Sequence, residues 1–266
     1  MNLLGKNDKE ITIQDYLILS CHFSSRNLDH EQLSEYLTML ENFRKAFGKP
    51  IMEAIGTFVL LLTIQLAVDA PSADKAPMAI GVALMVIIYA GAPISGAHYN
   101  PAVSLALWLR GKATVGEMLI YWIFQLAGGT FGAWLGGIIS GTYSNIGVGK
   151  NFTLTQAFLA EVCFAFVLCF VVLGTATHSK VAGNGYYGAA IGLTVTAGAV
   201  SVGQQSGAAF NPAVALGLSM AAGFDRFGYC VATALADFLG GAIASFMFYM
   251  VAPDQFDISG EYDSVA

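Results

Sequence analysis

Residues 95–107 read SGAHYNPAVSLAL, and residues 206–218 read SGAAFNPAVALGL. Nine of these thirteen positions are identical at a constant offset of 111. A repeat of this kind outranks every local reading, because it makes the chain two copies of one unit. The same offset sets Ile80-Gly81 against Ile191-Gly192. An offset of 108 sets Glu53 against Glu161, and Phe58-Val59-Leu60 against Phe166-Val167-Leu168. The two halves are therefore about 50–140 and 156–251.

The copies are made of membrane-type sequence. The chain is 56% hydrophobic and only 11% charged, against roughly 25% charged in ordinary soluble domains. A helix needs about 20 mostly apolar residues to cross a bilayer. Six runs meet this length: 51–69, 77–94, 115–140, 156–177, 187–204 and 227–251. Two shorter apolar segments, 100–109 and 211–222, each begin with Asn-Pro and are too short to cross. Each half thus holds three spans and one short segment. An odd number of spans inserts the second copy upside down, a design common in transporters and channels. The expected fold is an all-α membrane bundle of six transmembrane helices plus two half-helices that meet near the midplane.

The Asn-Pro starts carry chemistry. Proline is favoured at the first helical position and asparagine is a strong N-cap. A half-helix that begins inside the bilayer leaves its first N–H groups unpaired, which is tolerable only along a wet cavity. Asn100 and Asn211 can cap these helices and also offer amide donors to a pore. Both helix starts carry partial positive charge, and two such ends facing one point repel cations, a hopping proton included. A single Asn-Pro could equally start an interfacial helix; two in matched positions of an inverted repeat favour the pore.

Basic residues set the orientation. With the N-terminus inside, nine Lys and Arg residues fall on the cytoplasmic side and three on the other, so both termini are expected to be cytoplasmic. Residues 1–49 form a polar N-terminal segment, 50–252 the channel domain, and 253–266 a cytoplasmic tail. Asp29 to Phe47 has the spacing of an amphipathic helix with Asp29 as its N-cap, and Pro50 is expected to interrupt it. Arg44, Lys45 and Lys49 beside the first span suit anionic lipid. The net charge of −6 and the lack of a basic patch exclude nucleic acid as a partner. Cys21, Cys163, Cys169 and Cys230 have no metal-ligand spacing. No phosphate loop, nucleophile–base pair or metal cluster marks an enzyme, and no cofactor is expected.

From SGAHYNPAV, SGAAFNPAV, the paired Glu53 and Glu161, and Gln125 ahead of AGGTFGA, residues 50–251 are similar to the aquaporin, or major intrinsic protein, family. The resemblance implies a homotetramer in the lipid bilayer with one pore per subunit, passing water or small uncharged solutes down a gradient. It places Asn100, Pro101, Ala102, Asn211, Pro212 and Ala213 at the pore midplane, with Glu53 and Glu161 as braces of the half-helix loops. It also implies an outer filter of four residues, which at matched distances from the asparagines are Ile80, Ala199, Ala208 and Val214.

The filter departs from the family. The arginine that follows the second Asn-Pro-Ala is replaced by Val214, and the usual aromatic and histidine are also absent. A wider, apolar ring is expected to accept glycerol, urea, ammonia or hydrogen peroxide, and apolar constrictions can also dewet. The third loop, about 141–155, is short, as in water channels. The alternatives are an ion-conducting member of the same fold and a strictly water-selective channel.

Asp237 lies inside the sixth span, where family members often carry proline. Intramembrane ionisable groups are costly and mark functional sites by default, so Asp237 is a gating candidate, the alternative being a carboxyl hydrogen-bonded to a neighbouring helix or facing the tetramer interior. His98 is expected in the inner vestibule. His178, in the loop between spans four and five, is a candidate pH gate because histidine titrates near physiological pH.

Overall fold

The computed structural model describes residues 30–256. Asp29, Cys21, the rest of the N-terminal 29 residues and the last ten lie outside the described residues. The chain divides into two compact units, one up to Ala46 and one from Phe47 onward. Helix α1 (His30–Asp69) contains Pro50. The expected interruption does not occur: a proline removes one rung of the hydrogen-bond ladder, and the helical backbone continues past it.

The second unit holds the remaining helices: α2 (Ala76–Ser95), α3 (Pro101–Leu109), α4 (Val115–Ser140), α5 (Leu154–Ala176), α6 (Tyr187–Ser206), α7 (Pro212–Ala221) and α8 (Phe227–Val251). The starts of α4 and α5 are set by capping boxes, Thr114 with Glu117 and Thr153 with Gln156, each satisfying two otherwise orphaned N–H groups. Helices α3 and α7 are the two half-helices, nine and ten residues long.

Among the described residues, five of the six long helices are long and apolar enough to cross a membrane by length and composition. The exception is α6, which carries Thr194, Thr196, Ser201, Gln204 and Gln205 among its glycines and alanines. Thr194 and Ser201 donate to the carbonyls four residues back, Ala190 and Ala197, and Thr196 donates to those of Pro77 and Gly192. These hydroxyls are thus satisfied by helix backbone, while Gln204 lines an internal cavity.

Small residues let the backbones approach. A Cβ on Gly81 would lie 2.5 Å from the Gly192 carbonyl oxygen, and one on Gly192 would lie 2.4 Å from that of Gly81. This pair joins α2 to α6. In the first half, Gly128 of α4 sits against the Ala54 carbonyl; in the second, Gly240 of α8 sits against that of Val162. Such small-residue contacts are how membrane helices pack when lipid is as apolar as leucine. Helix α8 also packs on α3, and α4 on α7, so each half-helix is clasped by the other half's last span.

The third loop is tied down by Asp69 at the end of α1. Its carboxylate accepts from Gln65 Nε2 at 2.6 Å, Ser140 Oγ at 3.0 Å and Thr142 Oγ1 at 2.7 Å, and from the Ser144 hydroxyl.

Candidate functional site

The two Asn-Pro-Ala segments meet in the interior. Each asparagine is the N-cap of its half-helix: Ala102 N–H donates to Asn100 Oδ1 and Ala213 N–H donates to Asn211 Oδ1, both at 2.9 Å. Pro101 and Pro212 occupy the first helical position, where a missing N–H leaves no gap. Asn100 Nδ2 donates to the Phe210 carbonyl at 2.8 Å, and Asn211 Nδ2 donates to the Tyr99 carbonyl at 2.9 Å. An amide group has two N–H donors, so this crossing leaves one on each asparagine, and both residues line the cavity.

The loops leading to the asparagines hold non-glycine residues in the left-handed region: Ala97, Tyr99, Ala208 and Phe210, with φ between 48° and 53°. Such backbone costs about 1–3 kcal/mol per residue and persists only where the surroundings fix it. The fixing groups are the two buried glutamates. Glu53 accepts from Ser95 Oγ (2.6 Å), His98 N–H (3.0 Å), Tyr99 N–H (2.7 Å) and Gln125 Nε2 (2.7 Å). Glu161 accepts from Ala209 N–H (3.0 Å) and Phe210 N–H (2.7 Å). Each loop also drives an aromatic ring into the helices. Tyr99 is fully buried and presses against Gly56 and Gly91. Phe210 stacks on Phe164 at 5.4 Å.

One continuous cavity of about 1440 Å³ runs past these loops. At one end Arg110, Lys112, His178 and Gln255 line it; at the other, Asn145, Gly147 and Arg226. Between them lie Asn100, Asn211 and the four positions expected to form a filter, Ile80, Ala199, Ala208 and Val214. Ala102 and Ala213 are fully buried behind the wall. His98 lines the cavity, its Nδ1 3.0 Å from Ser104 Oγ. His178 also lines it, its Nδ1 accepting from Lys180 N–H at 3.1 Å. Asp237 does not line it: the carboxyl is fully buried between helices, next to Glu161.

Several lining residues escape sequence reasoning. The third loop folds inward: Ile146 packs on Gly207, and Gly149 N–H donates to the Gln205 carbonyl at 3.0 Å. Arg226, at the start of α8, reaches over Gly147. At the opposite mouth, the turn Pro253–Gln255 closes back on the channel unit. Gln255 Oε1 accepts from Ser179 N–H at 2.8 Å, and the Arg110 guanidinium stands 4.7 Å from the Phe256 ring centre. The first residues of the expected tail therefore belong to the pore's rim. No local signal marks any of these residues, because only the folded path of the loops brings them to the cavity.

The family model for the major intrinsic proteins matches residues 41–249. The chain is 34% identical over 193 residues to Aquaporin TIP2-1 of Arabidopsis thaliana, covering 70% of this chain and 75% of that one. It is 37% identical over 147 residues to Aquaporin AqpM of Methanothermobacter marburgensis, covering 53% and 59% respectively. Among solved structures, the aquaglyceroporin from Plasmodium falciparum superposes with a TM-score of 0.67 at 25% identity, covering 78% of this chain and 97% of that one. With two crossed Asn-Pro-Ala loops around one cavity, the chain belongs to the major intrinsic protein family and is an integral membrane channel of the aquaporin type.

Proposed function

We propose that this channel passes water together with small uncharged solutes of the size of glycerol, urea, ammonia or hydrogen peroxide. The observation that carries the reading is Val214. It stands directly after the second Asn-Pro-Ala, on the cavity wall, in place of the family's arginine. Ile80, Ala199 and Ala208 share that wall, so none of the four filter positions offers a side-chain hydrogen-bond donor or a charge. A ring of this kind does not compete for a polyol's hydroxyls through fixed donors, and it leaves more width than a guanidinium would.

Cation and proton exclusion then rests on the two half-helix starts, whose N-terminal partial charges face the crossing asparagines. The resemblance to the family supports four subunits per assembly, each with its own pore. The positive-inside bias supports cytoplasmic termini, which puts Arg110 and His178 at the inner mouth.

Stopped-flow light scattering of proteoliposomes tests the reading. Fast reswelling in a glycerol gradient that is lost in Val214→Arg is the expected result. Fast shrinkage in sucrose with no glycerol entry overturns it in favour of a water-selective pore.

A further inference from the structure

The two braces are not chemically equal, although the fold treats them alike. Gly128 approaches Ala54 as Gly240 approaches Val162. This contact aligns α4 with α8 at an offset of 112 and α1 with α5 at 108. On that alignment Asp237 is the counterpart of Gln125. In the first half, Gln125 Nε2 donates to Glu53 at 2.7 Å. In the second half, a carboxyl faces the Glu161 carboxyl instead. Both are fully buried. Neither Asp237 oxygen has a hydrogen-bond partner among the described residues, and the Asn211 backbone N–H approaches it without reaching hydrogen-bond geometry.

Two ionised carboxylates packed together away from water repel strongly, and each would be an uncompensated buried charge. One proton resolves both difficulties. We propose that Asp237 and Glu161 share a single proton, held on Asp237, whose O–H donates to Glu161. The assignment between the two follows from their partners. Glu161 accepts two backbone N–H groups, from Ala209 and Phe210, and such bonds favour the charged form. Asp237 accepts none. The protonated pair then carries one negative charge and one donor, which is the inventory of Glu53 with the neutral Gln125 amide. Asp237 is thereby a positioning residue: it holds Glu161, which holds the left-handed loop, which sets Asn211.

Among the described residues, the surroundings supply no cation to neutralise a second charge. The titratable groups that feel Asp237 or Glu161 are Cys169 of α5 and Tyr229 of α8, neither of them a cation. Helices α3 and α7, which also pack on α8, carry no titratable side chain in their sequences.

Infrared difference spectroscopy of the full chain in lipid, wild type minus Asp237→Asn, tests the proposal whichever solute the pore carries. The expected result is a carboxylic-acid C=O stretch at neutral pH that is missing from the variant. The absence of that band in the wild type at neutral pH overturns the shared proton. Water flux gives the second readout. Asp237→Asn, which restores an amide donor, is expected to keep flux within about twofold, whereas Asp237→Leu, which removes one charge-assisted hydrogen bond, lowers flux or folded yield about tenfold. A Leu variant indistinguishable from wild type overturns the positioning role.

Discussion

Asn100 and Asn211 each hold the other's loop, Asn100 through the Phe210 carbonyl and Asn211 through the Tyr99 carbonyl, at 2.8 and 2.9 Å. Each side chain therefore closes two bonds, one capping its own half-helix and one crossing to the opposite copy. Asn100→Ala removes a buried cap and orphans a buried carbonyl, at a cost of about 1–3 kcal/mol for the unsatisfied group. The same holds for Asn211→Ala. Because the two crossings share one loop geometry, the double variant should cost less than the sum of the singles by about 0.5 kcal/mol or more. Thermal unfolding in detergent measures this; strict additivity would contradict the coupling.

The brace at Glu53 serves four donors, two of them backbone N–H groups of the strained loop. Glu53→Ala leaves all four without their acceptor in the interior. Breaking a buried charged network in this way costs about 3–5 kcal/mol. The expected outcome is little or no folded protein, read by size-exclusion chromatography of the solubilised chain, whereas a surface substitution such as Lys112→Ala should leave the profile unchanged.

Gly81 and Gly192 fix how close α2 and α6 can come. Gly81→Val places side-chain carbons against the Gly192 carbonyl, a backbone atom that cannot swing aside. Overpacking of this kind costs about 1–3 kcal/mol or more. Both helices line the cavity, so flux should fall together with stability. A Gly81→Val channel with wild-type flux and melting would show that the two helices can separate freely.

The turn at Pro253–Gln255 gives a prediction in pH. The hydrogen bond from Gln255, with a smaller contribution from Lys180, holds the Asp254 carboxyl below its ordinary value. A depressed folded-state value contributes stability that is fully present above the unfolded value. It is lost progressively as pH falls from there through the lower, folded one. The turn should therefore stay docked on the rim of the cavity from neutral pH down to the usual carboxylate value near 3.9. Limited proteolysis of the C-terminus, followed over that range, should show no step above about pH 4. A step there that disappears in Asp254→Asn would contradict the assignment.

Much of this architecture is legible in the sequence because the repeat carries its own evidence. The half-helices, the crossing asparagines, the matched glutamates and the filter positions all sit at fixed distances from two near-identical segments. The equivalence of Gln125 and Asp237 stays hidden for two reasons. Their chemistry differs, and the loops between segments shift the offset from 108 through 111 to 112. Ile146, Arg110 and Arg226 reach the cavity because of how loops turn, which depends on distant partners such as Gly207, Phe256 and Gly147. The hydroxyls of α6 are satisfied by carbonyls of the same helix and of α2, which hydropathy alone does not reveal. Pro50 reads as a break because its local effect is real, yet one missing hydrogen bond does not end a long helix.

The crossed asparagine bonds also bear on how the protein is made. Tyr99 and Asn100 leave the ribosome more than a hundred residues before Phe210 and Asn211. Until the second copy arrives, the Asn100 amide has no Phe210 carbonyl to meet, and the first loop lacks half of its restraint. Helix α3, moreover, is clasped by α8, the third long span of the second copy. The aqueous path is accordingly assembled at the end of biogenesis. A nascent chain halted after α4 carries a complete repeat but no route across the bilayer.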